Sequence, residues 1–72
     1  MIIFAERLKE LRKKHEVNQT VLAELLHVSQ RQISYYENAQ DTPSLPSLII
    51  IADYFDVSLD YLVGRTNNPS RK

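Results

Sequence analysis

The chain has 72 residues, which suffice for one small domain and leave no room for a second. Apolar residues make up 43% of the chain and charged residues 25%, a balance typical of a folded globular protein rather than a disordered one. Nine lysines and arginines balance nine aspartates and glutamates, which argues against a polybasic protein that coats nucleic acid. The absence of cysteine excludes disulfides and thiolate chemistry.

Apolar spacing and capping residues predict the first three helices. Apolar side chains recur at helical spacing over roughly 3–14, among charged residues, which indicates an amphipathic first helix. Asn18 is a favourable N-cap for a second helix that ends near His27. Ser29 and Gln32 have the spacing of a capping box, so a third helix is expected from about Gln30 to roughly Asn38.

Serine caps mark the two remaining helices. Ser44 can cap a fourth helix, with Pro46 in its first turn, where the missing N–H has no cost. Ser58 can cap a short fifth helix that Gly64 stops. Five apolar side chains of the fourth helix are expected to face the core: Leu45, Leu48, Ile49, Ala52 and Phe55.

The predicted architecture is all-α, a compact five-helix bundle over residues 1–64 followed by a flexible polar tail over 65–72. The apolar run from Leu48 to Ala52 has five residues, whereas a membrane-spanning helix needs roughly 20. The apolar start of the chain reaches Glu6 too early to form the core of a signal peptide. We therefore expect a cytoplasmic protein without a membrane partner.

The connection between the second and third helices is only three residues long, from His27 to Ser29. A turn this short cannot pack the helices antiparallel along their length, so they should cross steeply, as in a helix-turn-helix. Such a crossing needs one small residue and several apolar side chains that fill the angle. The chain supplies Ala23, Val28 and Ile33, with Leu22 and Tyr36 to seal them to the core.

These residues and the motifs around them resemble the phage-repressor and Cro type (xenobiotic-response-element-like) of helix-turn-helix domain over about residues 4–64. The motifs are Arg7–Arg12 (RLKELR), Asn18-Gln19 (NQ), Leu22–Leu26 (LAELL), Val28-Ser29 (VS), Ile33–Glu37 (ISYYE), Pro43–Leu45 (PSL), Leu48, Ala52–Phe55 (ADYF) and Val57–Leu62 (VSLDYL). The resemblance implies a lambda-repressor-like fold. It also implies a bacterial or phage regulator that binds a palindromic operator as a homodimer, with helix three in the major groove.

The resemblance assigns base reading to Gln30, Arg31 and Tyr35, because the first residues of helix three reach base edges in this docking mode. Gln30 can pair bidentately with adenine, and Arg31 can contact guanine O6 and N7. Tyr35, about one turn further on, can pack against a thymine methyl or donate to a phosphate. The alternative is that these three side chains are only a solvated helix face.

Phosphate contacts are expected from Gln19, which matches the family position that binds a phosphate, together with the exposed amides at the start of helix two. Four further polar residues are candidates for backbone contacts: Asn18, Gln32, Ser34 and Asn38. Residues 1–37 hold six basic and five acidic side chains, and residues 38–64 hold four aspartates and no lysine or arginine. We therefore expect a modest salt dependence and weak non-specific DNA binding.

Arg12 and Glu37 match a family pair that bridges helix one to the end of helix three, and the alternative is two independent surface charges. A dimer patch is expected on the outer side of helix four and near it, although incidental exposed apolar surface is the alternative. A two-fold dimer would place its recognition helices about 34 Å apart. The patch residues are Pro46, Ile50, Tyr54 and Tyr61.

The family often has glycine where helices end, but this chain has other residues at four such positions: Glu16, His27, Ala39 and Asp56. A left-handed backbone there would cost on the order of 1 kcal/mol per residue, and a different loop before Pro43 would avoid that strain at Ala39. His27 is interpreted as a turn residue and His15 is distant in sequence, so we expect no metal site and no cofactor.

The sequence is compatible with three classes of function. The first is a DNA-binding transcription regulator, most often a repressor, without an evident small-molecule ligand. The second is a protein-interaction module, antitoxin-like or a scaffold partner, that uses Ile50, Tyr54 and Tyr61. The third is an enzyme with Tyr35, Tyr36 and Glu37 as an acid–base set, which is disfavoured because a convex helix surface supplies no water-excluded pocket.

Overall fold

A computed structural model describes residues 2–71 and shows only α-helices and connecting turns within that range. The predicted all-α, five-helix architecture is confirmed. No helix in the described part of the chain is long and apolar enough to cross a membrane. The helices are α1 (Ile2–Lys14), α2 (Gln19–Leu26), α3 (Gln30–Glu37), α4 (Leu45–Tyr54) and α5 (Leu59–Leu62).

Side chains that lie just before each helix cap four of the five N-termini, as the sequence predicts. Asn18 Oδ1 accepts a hydrogen bond from the Val21 amide at 3.1 Å. The hydroxyls of Ser29, Ser44 and Ser58 each accept from the amide three residues on. These caps satisfy amides that would otherwise lack an intrahelical partner, and so they fix where the helices begin.

One hydrophobic core joins all five helices. In it α1 packs against α3 and α5, α2 packs against α3, and α4 packs against α5. This arrangement encloses one face of α3 and leaves its opposite face open to solvent. The largest side chains with no exposed surface are Phe4, Leu8, Leu22, Ile33, Ile51 and Leu62.

The inward face of α4 differs from the predicted one. Leu48 and Ala52 are buried as expected, but Leu45 is 59% exposed and Ile49 is 43% exposed. Ile51 is fully buried in their place. Because α4 is apolar on nearly every side, its residue spacing cannot indicate which side packs inward, and contact with α5 decides it.

Within residues 2–71, four residues other than glycine adopt left-handed φ angles of 56° to 57°: Glu16, His27, Ala39 and Asp56. Ala39 is among them, so the loop before Pro43 does not avoid the strain. The single glycine, Gly64, has φ +88°, and a Cβ there would come within 2.7 Å of Ile3 Cγ2. Backbone conformation and the packing of α1 thus both require glycine at position 64.

The C-terminal tail lies against the body of the protein as far as Arg71. Arg7 on α1 donates to the Thr66 carbonyl at 2.7 Å and to Asn67 Oδ1 at 2.8 Å. Arg71 donates to Asp53 Oδ1 at 2.6 Å. The flexibility expected of the tail stays a prediction, and these contacts are the ones that would have to open.

Candidate nucleic-acid interface

The turn between α2 and α3 is stabilised by backbone geometry and by buried apolar residues. His27 ends α2 with φ 57° and ψ 43°, and the next amide, of Val28, donates to the Ala23 carbonyl at 3.0 Å. Ala23 is 6% exposed and Ile33 is fully buried, so the small and the apolar positions both lie at the helix contact. The turn therefore holds α3 against α2 in a fixed position.

The exposed face of α3 carries the residues predicted to read bases. Arg31 is exposed and Tyr35 is 37% exposed. They lie only about 40° apart around the helix axis at 3.6 residues per turn. Gln30 is exposed at the start of the helix, whereas Ile33 and Tyr36 are buried on the opposite side. The open face therefore presents a guanidinium, an amide and a phenol together.

The far end of α3 is joined to α1 by an ion pair. Arg12 Nε donates to Glu37 Oε2 at 2.6 Å, and Arg12 Nη2 donates to Glu37 Oε1 at 3.0 Å. Glu37 is only 4% exposed. The hydrogen bond from Arg12 to Glu37 raises the pKa of Arg12, against the opposing effect of burial. The pair is therefore charged, bidentate and largely shielded from water.

The side-chain amides of Gln19 and Gln30 connect this ion pair to the start of α3. Gln19 Nε2 donates to Glu37 Oε1 at 3.2 Å, and Gln30 Nε2 donates to Gln19 Oε1 at 3.4 Å. Gln30 keeps one N–H and its carbonyl oxygen, which are the groups that bidentate pairing with adenine uses. Gln19 keeps one N–H for a further acceptor. The ion pair thus helps to orient both glutamines.

The other predicted phosphate ligands also have partners within the protein. Asn18 caps α2 through its oxygen, which leaves its amide hydrogens available. Asn38 Nδ2 donates to Ser34 Oγ at 3.2 Å along the exposed face of α3. The Gln32 backbone amide donates to Ser29 Oγ at 3.1 Å, which forms one half of the predicted capping box. The Gln32 side chain does not accept from the Ser29 amide to form the other half, and its Nε2 donates to Asp41 Oδ2 at 2.7 Å.

Two residues in these contacts escaped prediction from the sequence. The sequence assigns no functional role to Asp41, and the only feature that could have indicated one is its acidic side chain within a polar loop. Arg7 was assigned no role, yet its guanidinium lies 4.1 Å from the centre of the Tyr61 ring. Tyr61 is half-buried against the Arg7 guanidinium, and its place in the dimer patch stays a prediction.

The exposed apolar surface of α4 is broader than the sequence predicts. Ile50 is 40% exposed and Tyr54 is 44% exposed, one turn apart, and Pro46 lies one turn before Ile50. Leu45 and Ile49, which the sequence wrongly places in the core, lie beside this row. We call the whole surface the α4 patch: Leu45, Pro46, Ile49, Ile50 and Tyr54.

The acid–base set considered for an enzyme is not brought together at one surface. Tyr36 is 7% exposed within the core, and Glu37 is engaged by Arg12, whereas Tyr35 faces solvent. Among residues 2–71, no three side chains of the metal-ligating types histidine, cysteine, aspartate and glutamate gather at one point. The chemistry that the exposed residues of α3 offer is hydrogen bonding.

Comparison with known proteins agrees with this geometry. The model of a family described as helix-turn-helix matches residues 8–62. The chain belongs to this helix-turn-helix family. An uncharacterized transcriptional regulator of Bacillus subtilis, YobD, is 36% identical to it over 97% of this chain and 62% of its own length.

Solved structures confirm the resemblance to the phage-repressor type of helix-turn-helix protein. A transcriptional regulator from Listeria innocua has a TM-score of 0.82 and 43% identity, over 85% of this chain and 57% of that one. The P22 c2 repressor in complex with synthetic operator 9T has a TM-score of 0.77 and 29% identity, over 86% of this chain and 94% of that one. This helix-turn-helix chain thus spans about three fifths of YobD and of the Listeria regulator.

Proposed function

We propose that this helix-turn-helix protein is a sequence-specific DNA-binding transcription regulator, most simply a repressor, that places α3 in the major groove of an operator. One observation carries the proposal: Arg31 and Tyr35 share the open face of α3, next to Gln30, while the opposite face is anchored in the core. The c2 repressor, which has the same fold, was solved with its operator. A protein with this target acts where the DNA is, which in a bacterium is the cytoplasm.

Base reading rests on the hydrogen-bonding groups at the start of α3. Arg31 makes no hydrogen bond or ion pair within residues 2–71, so its two terminal nitrogens are available for guanine O6 and N7. Gln30 offers an N–H and a carbonyl to adenine. Each bidentate contact of this kind discriminates against the wrong base by about 1–3 kcal/mol. Tyr35 adds an apolar ring for a thymine methyl.

Phosphate contacts would orient the protein on the duplex. The amide of Gln19 has one free N–H, and the first amides of α2 lie beside it. Ser34 and Asn38 lie on α3 and at its C-cap, Asn18 is exposed at the N-terminus of α2, and all three are candidates for further phosphate contacts. Because few of these groups are charged, we expect binding to depend less on salt than for a basic protein.

A homodimer is part of the proposal, with the α4 patch as its seam. Four large apolar side chains of this patch are each at least 40% exposed, and an apolar surface of this kind is typical of an interface. In a two-fold dimer the two copies of α3 would read half-sites about 34 Å apart, which requires a palindromic operator. Replacement of Ile50 by Asp should therefore yield a monomer in sedimentation experiments.

Selection of bound duplexes from a random pool tests the function directly, and a palindromic consensus is expected. The variant Gln30→Ala/Arg31→Ala should lose the preference for that consensus and bind it no better than a scrambled duplex. Arg65→Ala is the control, because it removes one exposed arginine beyond α5. Operator binding that survives the double replacement would overturn the proposal.

A protein-interaction module is the second candidate, favoured by the breadth of the α4 patch. In that case a partner protein would occupy the patch, and α3 would be a solvated face. Gln30→Ala/Arg31→Ala would then leave partner binding intact, while Ile50→Asp would abolish it. The two functions are thus separated by Gln30→Ala/Arg31→Ala, because Ile50→Asp also breaks the dimer that operator binding uses.

A further inference from the structure

One side of α3 carries a carboxylate from the loop that follows the helix. Asp41 Oδ2 accepts from Gln32 Nε2 at 2.7 Å, and Asp41 Oδ1 accepts from the Thr42 amide at 2.8 Å. An ionised carboxylate only accepts hydrogen bonds, so it fixes which end of the Gln32 amide faces it. Gln32 therefore turns its NH2 group toward Asp41 and keeps its carbonyl oxygen for other contacts.

The negative charge of Asp41 is not neutralised by an ion pair within residues 2–71. Asp41 is exposed, and it takes part in none of the ion pairs among residues 2–71. The sequence has no lysine or arginine from position 32 to position 64. This side of α3 therefore presents a full negative charge and an amide carbonyl, both of which repel a phosphate.

The position of Gln32 brings this charge close to a docked duplex. Gln32 follows Arg31 by about 100° around the helix, so it lies on the flank of the face that would enter the groove. The flanks of a recognition helix approach the sugar-phosphate backbone. An acidic side chain here lies where a basic or amide donor would bind phosphate.

We propose that Asp41 excludes DNA phosphate from this flank of α3 and so makes binding depend on the base contacts of the open face. The inference rests on the proposed DNA-binding function. It opposes the phosphate contact that the sequence predicts for Gln32, because that side-chain amide donates one of its two N–H groups to Asp41 and the carboxylate repels a phosphate that approaches the other. Phosphate contacts favour every sequence alike, so a repulsive element among them limits binding to duplexes that Arg31 and Gln30 recognise.

Three single variants of the full chain separate charge from hydrogen bonding. Asp41→Asn removes the charge and keeps one side-chain oxygen, which suffices for one of the two hydrogen bonds that Asp41 accepts. Gln32→Ala removes the amide and keeps the charge. Asp56→Asn is the matched control, because Asp56 is an exposed acid near Arg71 at the end of α4.

Fluorescence anisotropy at several salt concentrations measures binding to the selected consensus and to a scrambled duplex. Asp41→Asn should bind both duplexes about 2- to 5-fold more tightly, since one exposed charge is partly screened. The slope of the logarithm of its affinity against the logarithm of salt concentration should steepen by up to about one unit, which corresponds to one more released counterion. Gln32→Ala should bind the consensus no more weakly than the wild type, and Asp56→Asn should not change binding.

Two outcomes overturn the inference while leaving DNA binding in place. They are unchanged or weaker binding by Asp41→Asn, and a severalfold loss by Gln32→Ala, which would show that Gln32 donates to a phosphate. If neither the wild type nor Asp41→Asn binds any duplex, the proposed function itself fails and the inference fails with it. Thermal unfolding of each variant, expected to match the wild type, checks that the fold is kept.

Discussion

Glu37 at the end of α3 is buried against Arg12 of α1, which donates to both of its carboxylate oxygens. Replacement of Arg12 by Met keeps an unbranched apolar stem but removes the guanidinium, which leaves the carboxylate without a cation. Loss of one partner of a buried pair costs about 3–5 kcal/mol, so we expect a large fall in the free energy of unfolding by urea. The double variant Arg12→Met/Glu37→Leu should recover much of that loss, because no charge then stays buried.

The same pair makes a prediction about pH. The hydrogen bond to Glu37 raises the pKa of Arg12 above its ordinary, already very high value. Because the pKa of Arg12 is higher in the folded state than in the unfolded state, the ion pair stabilises the fold fully at any pH below the unfolded-state pKa. This stabilisation is lost only as the pH rises through the folded-state pKa. The stability difference between wild type and Arg12→Met should therefore stay constant from about pH 7 to pH 10. A difference that shrinks over this interval would contradict the assignment.

Arg31→Ala should remove one base contact and leave the phosphate contacts intact. We expect a loss of about 1–3 kcal/mol on the consensus operator, and relaxed preference at one base pair in each half-site. Binding to a panel of operators, each altered at one position, measures both effects. Equal weakening on every duplex would instead assign Arg31 to the phosphate backbone.

The helix boundaries and the open face of α3 were predictable because they depend on residues close together in sequence. Asn18 and Ser29 cap helices through amides three residues away, and the burial of α3 follows its helical period. The inward side of α4 was not predictable, since Leu45, Ile49 and Ile51 are equally apolar. Only packing against the rest of the core selects Ile51.

The parts of the site that the sequence did not reveal join residues that are distant along the chain. Gln32 meets Asp41 nine positions later, and Arg7 meets Asn67 sixty positions later. No local pattern encodes either contact, because each depends on how the helices pack. The pair of Arg12 and Glu37, also distant, could be anticipated only through the resemblance to phage repressors.

Ala39→Gly should stabilise the protein, since Ala39 has a left-handed φ of 57° and is exposed. Relief of this strain is worth on the order of 1 kcal/mol, which corresponds to a rise in Tm of about 4–8 °C for a domain of this size. Asp56→Gly is the comparison, and it should gain less because aspartate tolerates this conformation better. A lower Tm for Ala39→Gly would mean that the φ angle at Ala39 is wrong.

Ala23→Leu should disrupt the contact between α2 and α3, because Ala23 is 6% exposed at that contact. Overpacking of this kind costs about 1–3 kcal/mol, and calorimetry should show a correspondingly lower Tm. Val21→Leu, on the same helix at a position that is 38% exposed, adds a methylene group in solvent and should have little effect. Equal Tm values for both variants would show that α3 does not pack over Ala23.

Arg7→Ala should release the C-terminal tail. The Arg7 guanidinium lies over the Tyr61 ring and donates to the carbonyl of Thr66, so one side chain connects α1, α5 and the tail. The tail in turn places the Pro69 carbonyl 3.0 Å from the Ser58 amide, which it protects from solvent. We expect faster hydrogen exchange at the Ser58 amide and a loss of about 1–2 kcal/mol of stability.

The control for this prediction is Arg71→Ala, which removes exposed ion pairs to Asp53 and Asp56 from the same tail. Exposed pairs of this kind contribute at most about 1 kcal/mol, so the Tm of Arg71→Ala should be close to that of the wild type. A larger effect in Arg7→Ala than in Arg71→Ala would identify the half-buried guanidinium of Arg7 as the group that holds the tail against the rest of the protein. Unchanged exchange at Ser58 in Arg7→Ala, or equal exchange in both variants, would instead assign that role to the rest of the tail.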